Sequence, residues 1–361
     1  MEYSDSTTAV LTTEYFAMIF IANVTHSDIV ISPVTSPNTT QTQRYADVAT
    51  MVCAVSEDIY YRTGSAIALF GVILNGLFIY VISRAQSMRI TVNVYIVNLA
   101  FCDFLLLITV LIYYVLILLG ANDDLNNRGF VCYMSVFHNC LLFTSLFTVV
   151  VISIERYIGI CHPLRFRNVL SKSRVISLVL TTWIIGLVLS IPRTFECITT
   201  GHALVQVRNV VYLLYIIFFP VALATVSIMY ILTARSFSKF VGQLEESQGI
   251  DRRDDERQLC ITCAAIATLF FLCLAPSVYK FTHHLIYNIT GDIKGDIHTV
   301  MCIYDLARWM LLINSVVNPV VYNLINSTGR QAFVQAVRCS STSPTSSSDG
   351  VNNRSPNRTF V

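Results

Sequence analysis

The chain has 361 residues, 54% of them hydrophobic and only 13% charged, against roughly a quarter charged in ordinary soluble domains. With a mean hydropathy of +0.62 it carries more apolar surface than a soluble globule can hide, so an integral membrane protein is expected, and its net charge of +2 is too small to point to a nucleic-acid partner. The eleven cysteines are scattered, and the one metal-type pair, Cys260 and Cys263 in "CITC", has no second pair or histidine cluster beside it, so packed thiols are the expectation.

Taken in chain order, residues 1–62 are Ser/Thr-rich and expected to be disordered. The apolar patch Tyr15–Val24 is short and lacks the basic lead of a signal peptide. Seven apolar runs follow, at about 64–83, 92–119, 131–154, 175–192, 209–234, 260–287 and 300–324. Each is near the ~20 residues a helix needs to cross a bilayer. None alternates with period two, as a membrane barrel requires. The expected fold class is an all-α membrane protein, a seven-transmembrane helix bundle over 63–327 with no internal repeat and no second domain. "TGRQAFVQAVR" (328–338) puts Phe333 and Val337 on one face with basic residues at its ends, the pattern of a short amphipathic eighth helix. The remaining 339–361 form a Ser-rich tail, expected to be disordered and phosphorylatable, with Cys339 placed for palmitoylation.

Direction follows from Lys and Arg in the short loops. Arg84 and Arg89 follow the first run. Arg156, Arg165, Arg167, Lys172 and Arg174 follow the third, Arg235, Lys239, Arg252, Arg253 and Arg257 the fifth, and Arg330 and Arg338 the seventh. The first 62 residues carry Arg44 and Arg62 against seven acids. The N-terminus is therefore expected outside the cell and the C-terminus inside. Sequons at Asn23, Asn38 and Asn288 fall outside, where they can be glycosylated.

Specific landmarks sit on these runs in order: Asn75 in "GVILNGLFIYVI", "NLAFCD" ending at Asp103, Cys132, "ERY" at 155–157, Trp183 and Pro192, Pro220, "FLCLAP" at 271–276 and "NPVVY" at 318–322. With them the chain, over about 64–338, resembles a rhodopsin-like (class A) G-protein-coupled receptor. "ITVNVYIVNLAFCD", "ERYIGICHPLRFR" and "SIPRTFE" are similar to the invertebrate receptors for FMRFamide-like neuropeptides.

Asp103 is a carboxylate near mid-bilayer and must face the bundle interior with partners. Ser145, Asn314, Ser315 and Asn318 are spaced to join it. Either this cluster holds the sodium ion that the resemblance implies, or it is a hydrogen-bonded network without an ion; no other cofactor is expected. Pro220, Pro276 and Pro319 each remove a backbone hydrogen bond and permit a kink, and the resemblance implies pivots. It also implies a switch built from Glu155, Arg156, Tyr157, Pro276, Asn318, Pro319 and Tyr322. Arg156 is expected to pair with Glu155 or to reach Glu256, closing the face that meets a heterotrimeric G protein. Cys132 and Cys197 are the implied disulfide from the third helix to the second outer loop, and Cys53 with Cys302 a second candidate. Receptor kinases and arrestin are the implied partners of the tail, and membrane lipid surrounds the bundle in the plasma membrane.

The four lysines, Lys172, Lys239, Lys280 and Lys294, all lie outside the seventh helix, where a retinal pigment would need one. The position at which amine receptors carry Asp holds His138. The outer half instead offers Tyr113, Tyr114, His138, Asn139, Tyr212, Lys280, His283, His284, Asp305 and Arg308, a broad set of donors that suits an extracellular peptide. A non-peptide ligand (a lipid or small molecule) is the alternative, and a seven-helix transporter the more distant one, since neither repeats nor several mid-membrane charges are present. No nucleophile–base pair or metal set points to an enzyme. Two residues depart from the family pattern: Leu274 stands where the sixth helix usually has Trp, and Ile228 where the fifth has Tyr, so altered switching is expected.

Overall fold

Inside a bilayer each backbone N–H and C=O must be satisfied within its own segment or a closed sheet, and this chain uses helices. The computed structural model describes residues 57–84, 91–120, 128–162, 171–244, 250–291 and 297–325. They form α1 (Glu57–Arg84), α2 (Thr91–Leu118), α3 (Arg128–Cys161), α4 (Lys172–Ile198), α5 (Gly201–Leu244), α6 (Ile250–Thr290) and α7 (Ile297–Ile325). Six of these, α1 to α6, are long and apolar enough to cross a membrane. The seventh, at 29 residues, is diluted by Asp305, Arg308, Asn314, Asn318 and Asn323. The proposed eighth helix (328–338) and Cys339, Asn23, Asn38 and Cys53 lie outside the described residues.

The helices close into a ring, each packed on its chain neighbours and α7 back on α1, while α3 also touches α5 and α6. In α3, 67% of the membrane-length window is buried, against 22% in α4, so α3 is the axis and α4 the rim. Ile176, Leu180, Ile184, Leu187, Ile191 and Phe195 are exposed on α4; their spacing of three to four residues makes one stripe that lipid would cover.

Three ends differ from the sequence expectation. The first helix begins at Glu57, before residue 63, because Arg62 pairs with Asp58 one turn back at 2.8 Å and Tyr60 and Tyr61 are buried. The fourth helix runs on through Pro192 to Ile198, so Cys197 sits on that helix rather than in a loop. Its bond to Cys132 joins α4 to α3 with a Cα–Cα distance of 5.7 Å. Only two residues then separate α4 from α5, and the reversal uses Gly201 at φ +62°, a conformation that disfavours any side chain. Cys302 is also disulfide-bonded.

The α3–α4 contact depends on Gly186. A Cβ there would lie 2.8 Å from the Cys140 carbonyl oxygen and closer still to Thr144 Oγ1, a backbone approach of the kind small residues allow in membranes. Gly186→Val should cost about 1–3 kcal/mol by overpacking and lower the melting temperature of the purified protein; an unchanged melting temperature would show that α4 is not held this closely.

Candidate functional site

The end of the bundle that carries the Cys132–Cys197 bond holds two groups of polar and aromatic side chains. On the α1–α2–α7 side, Arg308 is ion-paired with Asp305 one turn away, and its guanidinium lies 4.6 Å above the Tyr60 ring. Tyr60 makes edge contacts with Tyr61, Tyr114 and Trp309 at centroid distances of 5.5, 5.6 and 5.0 Å. The Tyr60 and Tyr114 hydroxyls are 2.7 Å apart. Tyr113 stands beside Tyr114, partly buried. Cation–π contact and the acid together hold Arg308 in place.

On the α5–α6–α7 side, the buried Lys280 places Nζ 5.9 Å from the Phe281 centroid and 5.7 Å from that of Tyr304. His283 Nδ1 is 2.8 Å from the Tyr304 hydroxyl. His284 stacks on Tyr212 at 5.8 Å.

The structure thus brings Tyr113, Tyr114, Asp305 and Arg308 into one group and Tyr212, Lys280, His283 and His284 into another. His138 and Asn139 belong to neither. His138 is buried and hydrogen-bonded to Thr109 of α2. Asn139 accepts a bond from the Tyr215 hydroxyl of α5 and donates to Ser190 Oγ of α4 at 3.2 Å. Both tie helices together. Asn288, expected as an outer sequon, lies within α6 with Nδ2, the atom that would carry a glycan, donating to Asn209 Oδ1 at 2.8 Å.

Beneath the disulfide sits a cluster that sequence reading did not single out. Glu196 accepts from Arg193 at 2.7 Å and from Arg208 at 3.0 Å, and Arg193 Nε donates to Ser135 Oγ at 2.9 Å. It joins α3, α4 and α5. The signal for it was the Arg–x–x–Glu spacing at 193–196, which puts both groups on one helix face.

In the middle of the bundle, Asn318 Nδ2 donates to Asp103 Oδ2 at 2.8 Å, joining α7 to α2. Asn75 Nδ2 donates to the Ser315 carbonyl at 2.9 Å, joining α1 to α7. Ser145, Asn314 and Ser315 are all buried. The carbonyl oxygens of Asn75 and Asn314 have no hydrogen-bond partner. A buried carboxylate with buried amide oxygens still open is a donor set that fits a small hard cation. Close by, Asn98 bridges Thr148 and Trp183, both at 2.9 Å.

At the opposite end, the expected Glu155–Arg156 pair is not formed. Glu155 Oε1 accepts instead from the Tyr95 hydroxyl of α2 at 3.0 Å, and Oε2 makes no hydrogen bond. The turn of α3 directs the two neighbouring side chains apart, since residues i and i+1 do not face each other on a helix. Arg156 is buried. The side chain of Glu256 lies outside the described residues. Tyr157 meets the His162 ring edge-on at 5.7 Å. Tyr322 donates to Asn93 Oδ1 at 3.0 Å and contacts Phe78. Both α6 and α7 remain helical through Pro276 and Pro319. Leu274 is buried in the core shared by α3, α5, α6 and α7. Ile228 is 52% exposed, while Tyr230 turns inward against two core clusters.

Residues 74–322 match the model of the 7 transmembrane receptor (rhodopsin) family. Similar proteins include the pyroglutamylated RF-amide peptide receptor of Rattus norvegicus, 25% identical over 298 residues, 75% of this chain and 67% of that one. The tachykinin-like peptides receptor 86C of Drosophila melanogaster is 25% identical over 289 residues, 73% of this chain and 56% of that one. Bombesin receptor subtype-3 of Ovis aries is 23% identical over 347 residues, 89% of this chain and 84% of that one.

The Arg193–Glu196–Arg208 cluster makes a direct prediction. Glu196→Ala leaves two guanidiniums without their shared acid and should cost about 3–5 kcal/mol, seen as loss of cell-surface protein. Glu196→Gln, which keeps the acceptor oxygen, should cost less. Equal surface levels for all three proteins would show that the cluster does not hold these helices.

Proposed function

Because the chain belongs to the rhodopsin family of 7-transmembrane receptors, we propose that it lies in the plasma membrane with its N-terminus outside, binds an extracellular peptide at the disulfide end, and activates a heterotrimeric G protein at the Glu155–Arg156 end. The observation that carries the peptide reading is the similarity to receptors named for RF-amide and tachykinin-like peptides. The chemistry of the disulfide end supports it. Arg308, Lys280, His283 and His284 stand among stacked rings, and such a surface offers hydrogen bonds to peptide carbonyls and flat faces to apolar side chains. The Lys/Arg bias of the loops supports the orientation.

In this reading Arg156 is the contact on which the inner face turns. It is buried against the bundle in the structure, and outward movement of α6 exposes a groove for a helix of the partner. Tyr322 and the prolines at 276 and 319 lie on the helices that move. The tail at 339–361, outside the described residues, is the segment that receptor kinases would phosphorylate for arrestin, and Cys339 the site at which a lipid anchor would attach.

The central cluster is proposed to hold a sodium ion, with Asp103, Ser145, Asn314, Ser315 and Asn318 as the residues around it. The open oxygen of Asn314 supports this. A cation bound there stabilises the closed bundle by mass action. Sodium, compared with choline at equal ionic strength, should raise the melting temperature of the purified receptor, and Asp103→Asn should remove that response. The same response in both proteins would leave a purely hydrogen-bonded cluster.

The function is tested by screening a peptide library against cells that express the chain and report calcium and cyclic AMP. A peptide response is expected, and Arg156→Ala should reduce it at least tenfold while surface protein is retained. A response to a lipid or an amine with none to any peptide would overturn the ligand assignment. A full peptide response in Arg156→Ala would overturn the coupling role.

A further inference from the structure

Four aromatic side chains and one histidine form a single stacked column across α3, α5 and α6. His284 lies on Tyr212 at 5.8 Å and 22°. Tyr212 lies on Phe281 at 5.5 Å and 25°, Phe281 on Tyr215 at 4.4 Å and 20°, and Tyr215 on Phe143 at 5.1 Å and 21°. Tyr212 and Tyr215 are three residues apart on α5, as are Phe281 and His284 on α6, so the two helices contribute rings alternately. The column starts among the polar residues of the disulfide end and stops in the core around Leu274.

Tyr215 has a polar tether on one side. Its hydroxyl donates to Asn139 Oδ1 on α3, and Asn139 is itself bound to Ser190 on α4. Toward α6 it offers only the ring face against Phe281. Directional bonds resist sliding and ring faces do not, so the Tyr215–Phe281 contact yields more readily than the Asn288–Asn209 bond that also joins α5 and α6.

Slip in a close-packed interior needs free volume. A cavity of about 20 Å³ lies directly beside this contact, lined by Tyr215 and Phe281 together with Phe143, Phe219, Leu274 and Val278. It is about the size of one water, and apolar side chains make up most of its lining, with Ser277 beside them. An indole at position 274 would not fit without displacing the rings.

We propose that Tyr215 is the residue that couples the disulfide end to the movement of α6. Its tether to Asn139 holds the column in the closed arrangement, and release of the tether lets Phe281 and Tyr215 shift into the cavity above Leu274. It is a positioning residue, acting through Phe281, and the proposal rests on the receptor reading above.

The test uses the full chain in lipid nanodiscs, with Cys339→Ser and spin labels on Cys161 and Cys260. Neither thiol is in a disulfide and both are partly exposed, on the inner portions of α3 and α6. The readouts are the distribution of separations between the labels and the binding of nucleotide-free heterotrimeric G protein. Loss of one hydrogen bond in Tyr215→Phe should enlarge the widely separated population about fivefold. Phe281→Leu, which leaves the tether intact but removes its ring partner, should shift the population in the same direction. In the Leu274→Phe background the cavity is filled, and Tyr215→Phe should then change nothing. An unchanged distribution in Tyr215→Phe and Phe281→Leu, with both proteins still binding G protein, overturns the proposal and leaves the receptor reading intact. Equal effects of Tyr215→Phe with and without Leu274→Phe also overturn it. The expected shifts without G-protein binding by any variant support the column and reject the receptor reading.

Discussion

Lipid offers no hydrogen bonds, so a polar side chain turned into this bundle needs its partner within the protein, on its own helix or on another. The bond between Asn318 of α7 and Asp103 of α2 is the deepest case, and the rest of the structure is arranged around it. Asn75 fastens α1 to the same turn of α7. Asn98 fastens α2 to α3 and α4 through Thr148 and Trp183. Apolar packing adds little preference for one helix neighbour over another in a hydrocarbon solvent, because lipid tails are as apolar as leucine. The ring order of the seven helices is therefore specified largely by these few polar junctions and by the close approach at Gly186.

The same logic separates the two ends. At the disulfide end charges are neutralised locally: Glu196 between two arginines, Arg308 against Asp305 and over Tyr60. The Glu196 cluster joins α3, α4 and α5, and α6 meets α5 through ring faces and the Asn288–Asn209 bond. At the other end Tyr95 holds Glu155, which leaves Arg156 to the groups that approach from elsewhere. In the proposed reading, α6 moves against α3, α4 and α5 as a two-state element that ligands at one end and partners at the other can bias. The space beside Leu274, where the family pattern has an indole, is a small cavity bordered by Phe143, Tyr215, Phe219 and Phe281.

Much of this was legible in the sequence. The seven apolar runs follow from length and hydropathy, the grouping of Asn318 with Asp103 from the cost of a carboxylate in the bilayer, and the disulfide was implied by the family resemblance. What was not legible depends on rotation about helix axes. Asn139 and His138 read as pocket residues because they are polar and lie in the outer half; the bonds they also make to α2, α4 and α5 depend on that rotation and could not be read. Glu155 and Arg156 read as a pair because they are adjacent, and adjacency on a helix points side chains apart. Tyr215 was passed over because one tyrosine in an apolar run carries no motif; only its stacking partners, distant in sequence, reveal it. Ile228 was read as a loss, whereas Tyr230, two residues later, turns into the core.

In the proposed reading, events at the two ends are linked through the bundle. Linkage is reciprocal: a partner bound at one end must change affinity at the other by the factor with which it is itself affected. The affinity of the purified receptor for the peptide recovered from the screen, measured with and without nucleotide-free heterotrimeric G protein, tests this. Peptide binding should be tighter with the G protein, by about 5- to 150-fold. Equal affinity under the two conditions, with G protein shown to be bound, would show that the two ends are not linked.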